Sequence, residues 1–383
     1  MRRYGDEVLL ITGPAVGPEG SLLNRARAGG VPLEVIPQLR RAIHPWRDLR
    51  SYFRIKAALR RFRPDVVHTH SAKGGILGRA AAWALRVPAI VHTVHGAPFH
   101  PYQGRAGKGF VIACERWAAR RCHALVSVAD AMTTLLVRAG IAPQDKFTTI
   151  YSGMEVEPFL DADHLRPAAR AALGYQSHHV VVGKVARMFH LKGHEDVVRA
   201  ARRVVDALPD VRFLLVGDGL LADRIQRQIH QSGLDAFFQC VGLVPPDRMP
   251  EMMAAMDIVV HASLREGLAR VLPQALLAGK PAVSYDIDGA PEVVLPEVTG
   301  LLVPPRDWQG LAQALMRLAR DAPLRQRLGT EGRRRFAETF RHENMTAAIR
   351  RLYEQILASR SAQPPSATAS LATRDVVRKP AGH

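Results

Sequence analysis

Short apolar runs recur along the chain, and most are followed by a longer stretch with helical periodicity. In the first half the runs fall at 8–11, 31–36, 65–69, 89–94, 124–128 and 147–151. In the second half they fall at 180–186, 213–219, 237–243, 257–260, 281–285 and 298–303. Runs this short and this apolar read as strands buried on both faces. Their alternation with helices predicts parallel sheets of the doubly wound α/β type. Helices are predicted at 22–28, 47–62, 76–85, 107–121, 131–139, 222–231 and 271–278, and across 308–340. Residues 343–359 have the spacing of one more amphipathic helix. The stretch 155–176 is rich in Pro, Asp and Ala and carries little strand pattern. It divides the chain into a first α/β domain (1–160), a linker (161–176), a second α/β domain (177–340), a last helix (341–360) and a tail (361–383). The tail is rich in Ala, Pro, Ser and Thr and is expected to be disordered.

Composition narrows the picture. At 383 residues the chain is long enough for two domains with full cores. No apolar run approaches the length of a membrane span, and the one at 8–11 is too short for a signal peptide. The three cysteines, Cys114, Cys122 and Cys240, lack metal-site or redox spacing and read as core residues in a reducing compartment, so a cytoplasmic address is expected. With 53 Lys and Arg against 35 Asp and Glu, the net charge is +18. That balance implies a polyanionic partner: nucleotide phosphates, an anionic membrane surface, or nucleic acid. No nucleic-acid-binding motif accompanies it, so nucleic acid is not expected. In 47–62, Arg47, Arg50, Arg54 and Arg61 fall on one helical face, with Leu49, Tyr52, Phe53 and Leu59 on the other. This reads as a solvated surface helix, or as an interfacial patch attracted to anionic headgroups.

The chemistry concentrates at 257–285. A strand (257–260), a Gly-containing loop and a helix with Pro273 in its first turn are followed by Gly279 and another strand. Free amides and the helix dipole at such a helix mouth favour an anion. Glu266 in the loop is poorly suited to phosphate, yet well suited to accept hydrogen bonds from hydroxyl groups. Phosphate plus polyol on one loop implies a nucleotide sugar. In the same domain a strand tip carries Arg187, with Lys192 and Gly193 following ahead of a helix, a chemically reasonable diphosphate clamp. In the first domain, two consecutive strands deliver His70-Ser71-Ala72-Lys73-Gly74 and His95-Gly96 to one carboxyl edge, where open α/β sheets bind ligands. His68 and His92, within their strands, read as structural. Asp286-Ile287-Asp288 has the form of a metal motif, but its place after a strand reads as turn chemistry, and no metal is expected.

These motifs resemble family 4 of the retaining, GT-B-type glycosyltransferases. Glu266 stands at the first Glu of the family's paired-Glu signature, and Gln274 replaces the second. Gly279-Lys280-Pro281 and Gly289-Ala290-Pro291-Glu292 match the rest. The resemblance covers roughly residues 8 to 357. It implies two Rossmann-like domains facing a cleft, with the last helix crossing back onto the first. It also implies that Glu266 contacts the transferred sugar, that position 274 holds the ribose, and that Arg187 and Lys192 hold the diphosphate. Leu243 and Val244 would meet the base by their backbone. The donor site would take in Gly267, the amides of Leu268, Ala269, Arg270 and Val271 would stabilise the departing diphosphate, and His95 would face the sugar from the acceptor side beside His70, Lys73, Gly74 and Gly96. Family members begin with a strand and Gly-rich loop upstream of residue 8, so the first domain is expected to lack its initial strand, leaving an open edge and exposed apolar surface.

The reading is transfer of a sugar from a nucleoside diphosphate donor (UDP- or GDP-type) to a hydroxyl of a glycan or lipid-linked acceptor, with retention and without a metal or other cofactor. Two alternatives stay open. One is a nucleotide-sugar epimerase or hydrolase of the same fold. The other is a non-catalytic scaffold at the membrane surface, motivated by Gln274, the missing strand and the basic balance.

Overall fold

The structure is a computed structural model and describes residues 1, 4–14, 23–40, 42–100 and 102–361. Its strands in the first half are β1 (Leu10–Thr12), β2 (Leu33–Val35), β3 (Val66–His70), β4 (Ala89–Val94), β5 (Ala124–Ser127) and β6 (Phe147–Thr149). Those in the second are β7 (Val180–Val185), β8 (Val211–Val216), β9 (Phe238–Cys240), β10 (Ile258–His261), β11 (Ala282–Tyr285) and β12 (Gly300–Val303). One sheet runs β3-β4-β5-β6 and another β12-β11-β10-β7-β8-β9, every pair parallel. The parallel α/β sheets expected from the alternating pattern are therefore present in two Rossmann-like domains, the second with the order reversal of a doubly wound sheet and the first with its described strands divided between two sheets.

The central strands of the two larger sheets, β4, β5, β10 and β11, are buried on both faces, whereas β1, β2 and β9 are only partly covered. Val259, Val260, Ala282 and Val283 are fully buried, for example, and the helices bury one stripe each against them. In the first half β1 and β2 pair only with each other, and β3 has β4 as its one strand partner among the described residues. Most exposed large apolar side chains among those residues also lie in this half, including Trp83, Phe110 and Trp117.

Several sequence expectations need correction. The stretch read as a linker is helical at Glu157–Leu160 and Arg166–Ala172. Val156, Phe159 and Ala162 enter the second domain's core, and Arg166 donates to the Ala254 and Met256 carbonyls at 2.9 Å. It lacks strand pattern because it is a packed helical strap. The helices expected across 308–340 are Trp308–Arg320 and Ala322–Phe336, divided at Asp321, which caps the second by accepting from the Leu324 amide at 2.8 Å. On the helix Pro45–Phe62, the buried face is Ser51, Ile55, Ala58 and Leu59, so Leu49 and Phe53 point outward among the arginines. The tail beyond Ser361 and residues 15–22 lie outside the described residues.

The last helix, His342–Ser361, packs on the first domain's sheet: Leu352, Ile349 and Ile356 join Val91, Val126 and Ile150 in one apolar cluster. The chain thus returns to its first domain after building the second.

Candidate active site

In the second sheet the strand order reverses between β7 and β10, so the loops after these strands part and leave a crevice at their carboxyl ends. Lys192 sits on the loop after β7, ahead of the helix His194–Ala207. Glu266 sits on the loop after β10, ahead of the helix Val271–Leu277. Gly193 lets the first loop close: its φ is +66°, and a Cβ there would lie 1.9 Å from the Ala262 carbonyl oxygen of the second loop. Across this junction the Lys192 ammonium donates to Glu266 Oε1 in a direct ion pair, both side chains about one-fifth exposed. His261, buried at the tip of β10, places Nε2 3.6 Å from the same oxygen and Nδ1 3.1 Å from Ser284 Oγ. Burial pushes the Glu266 carboxyl up, but the His261 ring and the Lys192 charge outweigh it and bring it to about 2. Glu266 is therefore a carboxylate at every physiological pH. Its backbone amide donates to Asp288 Oδ2 at 2.6 Å, and the Gly289 amide donates to the Gly267 carbonyl at 3.0 Å. The 286–288 motif is thus a brace for the Glu266 loop.

The first domain faces this pair with a row of imidazoles. His70 Nδ1 and His95 Nε2 are 3.0 Å apart, and the rings of His68, His70 and His95 stack in sequence, with centroids 4.5 and 5.3 Å apart. At the inner end, His68 Nε2 meets Thr93 Oγ1 at 2.6 Å, and His68 Nδ1 meets the Tyr353 hydroxyl at 2.5 Å. Burial, followed by the neighbouring rings, lowers His68 to about 3 and His70 to about 4. His95 is lowered by burial and then by the Arg270 charge from the opposite domain. The row is neutral at pH 7. The two domains touch here: a Cβ at Gly267 would lie 2.2 Å from the His95 carbonyl oxygen, and Arg265 donates to the Ala97 carbonyl. Only glycine permits the loop to approach this closely.

The other sequence-predicted residues divide in two. Arg187 is exposed on the loop after β7, its guanidinium 5.0 Å from the Phe189 ring centroid. Gln274 is half-buried in the first turn of Val271–Leu277, and Gly96 is exposed beside His95. Leu243 is exposed and Val244 half-buried after β9. Ala269 and Val271 are buried in the core, so only their backbone is available to a ligand, while Arg270 is exposed. Leu268 packs against the cores of both domains. Lys73 is the correction: its ammonium turns away from the His row to Asp48, at 2.7 Å, and to the Ala42 carbonyl, which ties Ala72–Ala84 to Pro45–Phe62. Gly74 lies in the first turn of Ala72–Ala84.

Sequence reasoning passed over His261, Asp288 in its bracing role, Tyr353 and Lys184. Lys184 is fully buried in β7, and its ammonium has no hydrogen-bond partner among the described residues. A polar residue inside an apolar strand run was the available signal for Lys184 and His261.

Two family models match the chain in tandem: glycosyl transferase 4-like domain over residues 1–153, and glycosyl transferases group 1 over 166–335. The chain belongs to the GT-B glycosyltransferases. This transferase is 28% identical over 291 residues to the UDP-Gal:alpha-D-GlcNAc-diphosphoundecaprenol alpha-1,3-galactosyltransferase of Escherichia coli, covering 76% of the chain and 75% of that protein. It is 28% identical over 308 residues to the 2-deoxystreptamine glucosyltransferase of Streptomyces kanamyceticus, covering 78% and 79%. Among solved structures, HepE of Anabaena in complex with UDP superposes with a TM-score of 0.78 at 21% identity, over 91% of this chain and 99% of that one. Sucrose-phosphate synthase of Thermosynechococcus elongatus does so with a TM-score of 0.75 at 21% identity, over 92% and 99%. These two likenesses show the fold.

Proposed function

We propose that this transferase moves a sugar from a UDP- or GDP-type donor to a hydroxyl of a glycan or lipid-linked acceptor, with retention at the anomeric carbon. The observation that carries the reading is the Lys192–Glu266 pair at the switch point, facing His95 across a closed cleft. Lys192 and Arg187 supply positive charge for the departing diphosphate, and the amides after Glu266 add donors aimed at the same anion. Glu266, ionised and braced by Asp288, accepts hydrogen bonds from sugar hydroxyls and fixes the donor's orientation. His95 contacts the sugar from the first domain. Leaving-group charge is met by these cations, so the reaction is proposed to need no metal and no further cofactor. Gln274 accepts a ribose hydrogen bond without the strength a charged acceptor gives. The two relatives named above, one acting on a diphosphoundecaprenol acceptor and the other on 2-deoxystreptamine, support transfer to a hydroxyl over epimerisation.

The test is turnover of a panel of UDP- and GDP-sugars, with product anomers read by NMR. Wild type should turn over one donor class, and Arg187→Ala and Glu266→Ala should each lose most of that activity. Full activity in both variants, or inverted product, overturns the reading.

A second element concerns where the enzyme works. No described helix is long and apolar enough to cross a membrane. On Pro45–Phe62, however, Trp46 and Phe53 are 72% and 57% exposed, with Leu49 between them and Arg47, Arg50, Arg54, Arg60 and Arg61 exposed around them. An aromatic strip flanked by cations is the composition of an interfacial helix. It supports peripheral docking on an anionic cytoplasmic leaflet, where a lipid-linked acceptor would reside. Co-sedimentation with phosphatidylglycerol vesicles tests it: Trp46→Ala with Phe53→Ala should abolish a binding that phosphatidylcholine vesicles never support.

A further inference from the structure

The helix Asp130–Arg138 of the first domain begins at Ala129, which has no side chain able to cap it. Its first amides would be orphaned at the cleft edge. They are taken instead by the second domain. The Asp130 amide donates to Glu292 Oε2 at 3.0 Å, and the Ala131 amide donates to Glu292 Oε1 at 2.9 Å. The Tyr151 hydroxyl, from the segment that leaves the first domain, donates to Glu292 Oε2 at 2.8 Å. One carboxylate therefore receives three donors from the other half of the molecule, on the helix end whose dipole favours a negative charge.

The position of Glu292 gives these bonds a consequence for the cleft. It closes a short turn, Ala290–Glu292, directly after the segment that braces the Glu266 loop through Asp288 and Gly289. That segment lies against the first domain as well: a Cβ on Gly289 would meet the Ala129 methyl at 2.8 Å. When Glu292 grips the helix Asp130–Arg138, the Glu266 loop is pressed to the His95 loop, where Gly267 meets the His95 carbonyl. Opening the cleft would leave two helix amides and a carboxylate unpaired, which only water entering the interface could satisfy.

We infer that Glu292 is a cross-domain clasp, a positioning residue that caps a first-domain helix and thereby holds the sugar-binding Glu266 loop against the His95 loop. The catalytic consequence rests on the transferase reading; the clasp itself does not.

The experiment compares the full chain as wild type, E292Q and E292A, with and without UDP, by small-angle X-ray scattering and by donor kinetics. E292A should have a larger radius of gyration than wild type, while its melting temperature, read by circular dichroism, confirms a folded protein. E292Q keeps one acceptor oxygen and should fall between them. In turnover, E292A should lose tenfold or more in kcat while UDP affinity, measured by calorimetry, changes less than threefold, because the clasp positions groups without touching the nucleotide. A merely structural residue would move stability without this split. Identical scattering from wild type and E292A overturns the clasp, as does a UDP affinity that falls in step with kcat. If E292A expands while wild type binds neither UDP nor GDP, the clasp stands and the transferase reading falls.

Discussion

Lys192 and Glu266 neutralise each other at the floor of the cleft, on two loops that come from neighbouring strands of one sheet. A diphosphate arriving there meets a lysine already engaged and a carboxylate that repels it. Glu266→Gln should therefore bind UDP a few-fold more tightly than wild type, by calorimetry, since the free ammonium then serves the phosphate alone. The same variant should lose about 100-fold in turnover, the range seen when a preorganised polar contact to the reacting group is removed. Tighter nucleotide binding with slower chemistry separates an orienting role from simple donor affinity. Weaker UDP binding would mean that Glu266 supports the phosphate site by holding Lys192 in place.

Among the described residues the His70 ring has two neighbours that the site uses: it meets His95 Nε2 at 3.0 Å and stacks between His95 and His68. Between neutral rings one nitrogen must donate and the other accept, so the tautomers of His70 and His95 are coupled through this bond. His70→Ala should lower kcat about tenfold and leave nucleotide affinity unchanged. His70→Asn, which can still donate or accept at one atom, should recover part of that loss. Equal kinetics for both variants would remove the tautomer argument.

Why some of this was legible in the sequence follows from which features are local. The strands are apolar runs bounded by Gly and polar residues, so their order and the parallel sheets could be read directly. The loops of Glu266, Lys192 and His95 could be placed as well, because each follows such a run. What the pattern cannot encode is partnership across distance. Lys73 is next to a His-bearing strand tip in sequence, yet Asp48 on another helix claims its ammonium. Leu49 and Phe53 share a helical face with Tyr52 and Leu59 in the sequence, but the buried stripe is centred on Ser51 and Ile55. The helical strap at 157–172 lacked a clear signal because Ala-rich, Pro-containing segments read as linker until Phe159 and Arg166 are seen to anchor it. Glu292 was visible as part of a motif, and only the fold shows that the amides it accepts from lie on another helix, 162 and 161 residues away in the chain.

The imidazole row makes stability depend on pH in a set direction. His68 titrates at about 3 in the folded chain and His70 at about 4, against 6.5 when unfolded, and burial is the first cause of each shift. His194, lowered to about 2 chiefly by burial, behaves alike. Below pH 6.5 the unfolded chain takes up protons that the folded chain refuses, so stability falls as pH drops from 6.5 towards 4 and is fully present above 6.5. Each histidine contributes up to about 1.4 kcal/mol per pH unit in that window. Denaturant titrations at pH 7 and pH 5 should show a clear loss at the lower value. His68→Gln, which hydrogen-bonds without titrating, should flatten the curve by one proton's share. Glu266 acts in the same direction only below its unfolded value of 4.5, so it adds nothing to the loss between pH 7 and 5.

Lys184 is the buried cation that the proposed chemistry leaves idle. It lies in β7, its ammonium without a hydrogen-bond partner among the described residues, and burial, then the Lys192 charge, pushes it down to about 7. Between pH 7 and its unfolded value of 10.5 the unfolded chain holds the proton and the folded chain releases it, so wild-type stability should rise with pH across that range. Lys184→Met fills a similar volume without an ionisable group. It should stabilise the protein at pH 7 by about 1–3 kcal/mol in denaturant titrations, and the rise between pH 7 and 10.5 should flatten. If the variant gains no stability and instead loses UDP affinity, the lysine is retained for its charge: a bound diphosphate would draw a proton onto it and make it a third cation beneath the nucleotide. Proton uptake on UDP binding, measured by calorimetry in buffers of different ionisation enthalpy, separates the two. Uptake near one proton at pH 8 that vanishes in Lys184→Met assigns the charge to the ligand, and no uptake leaves Lys184 as a cost the fold carries unaided.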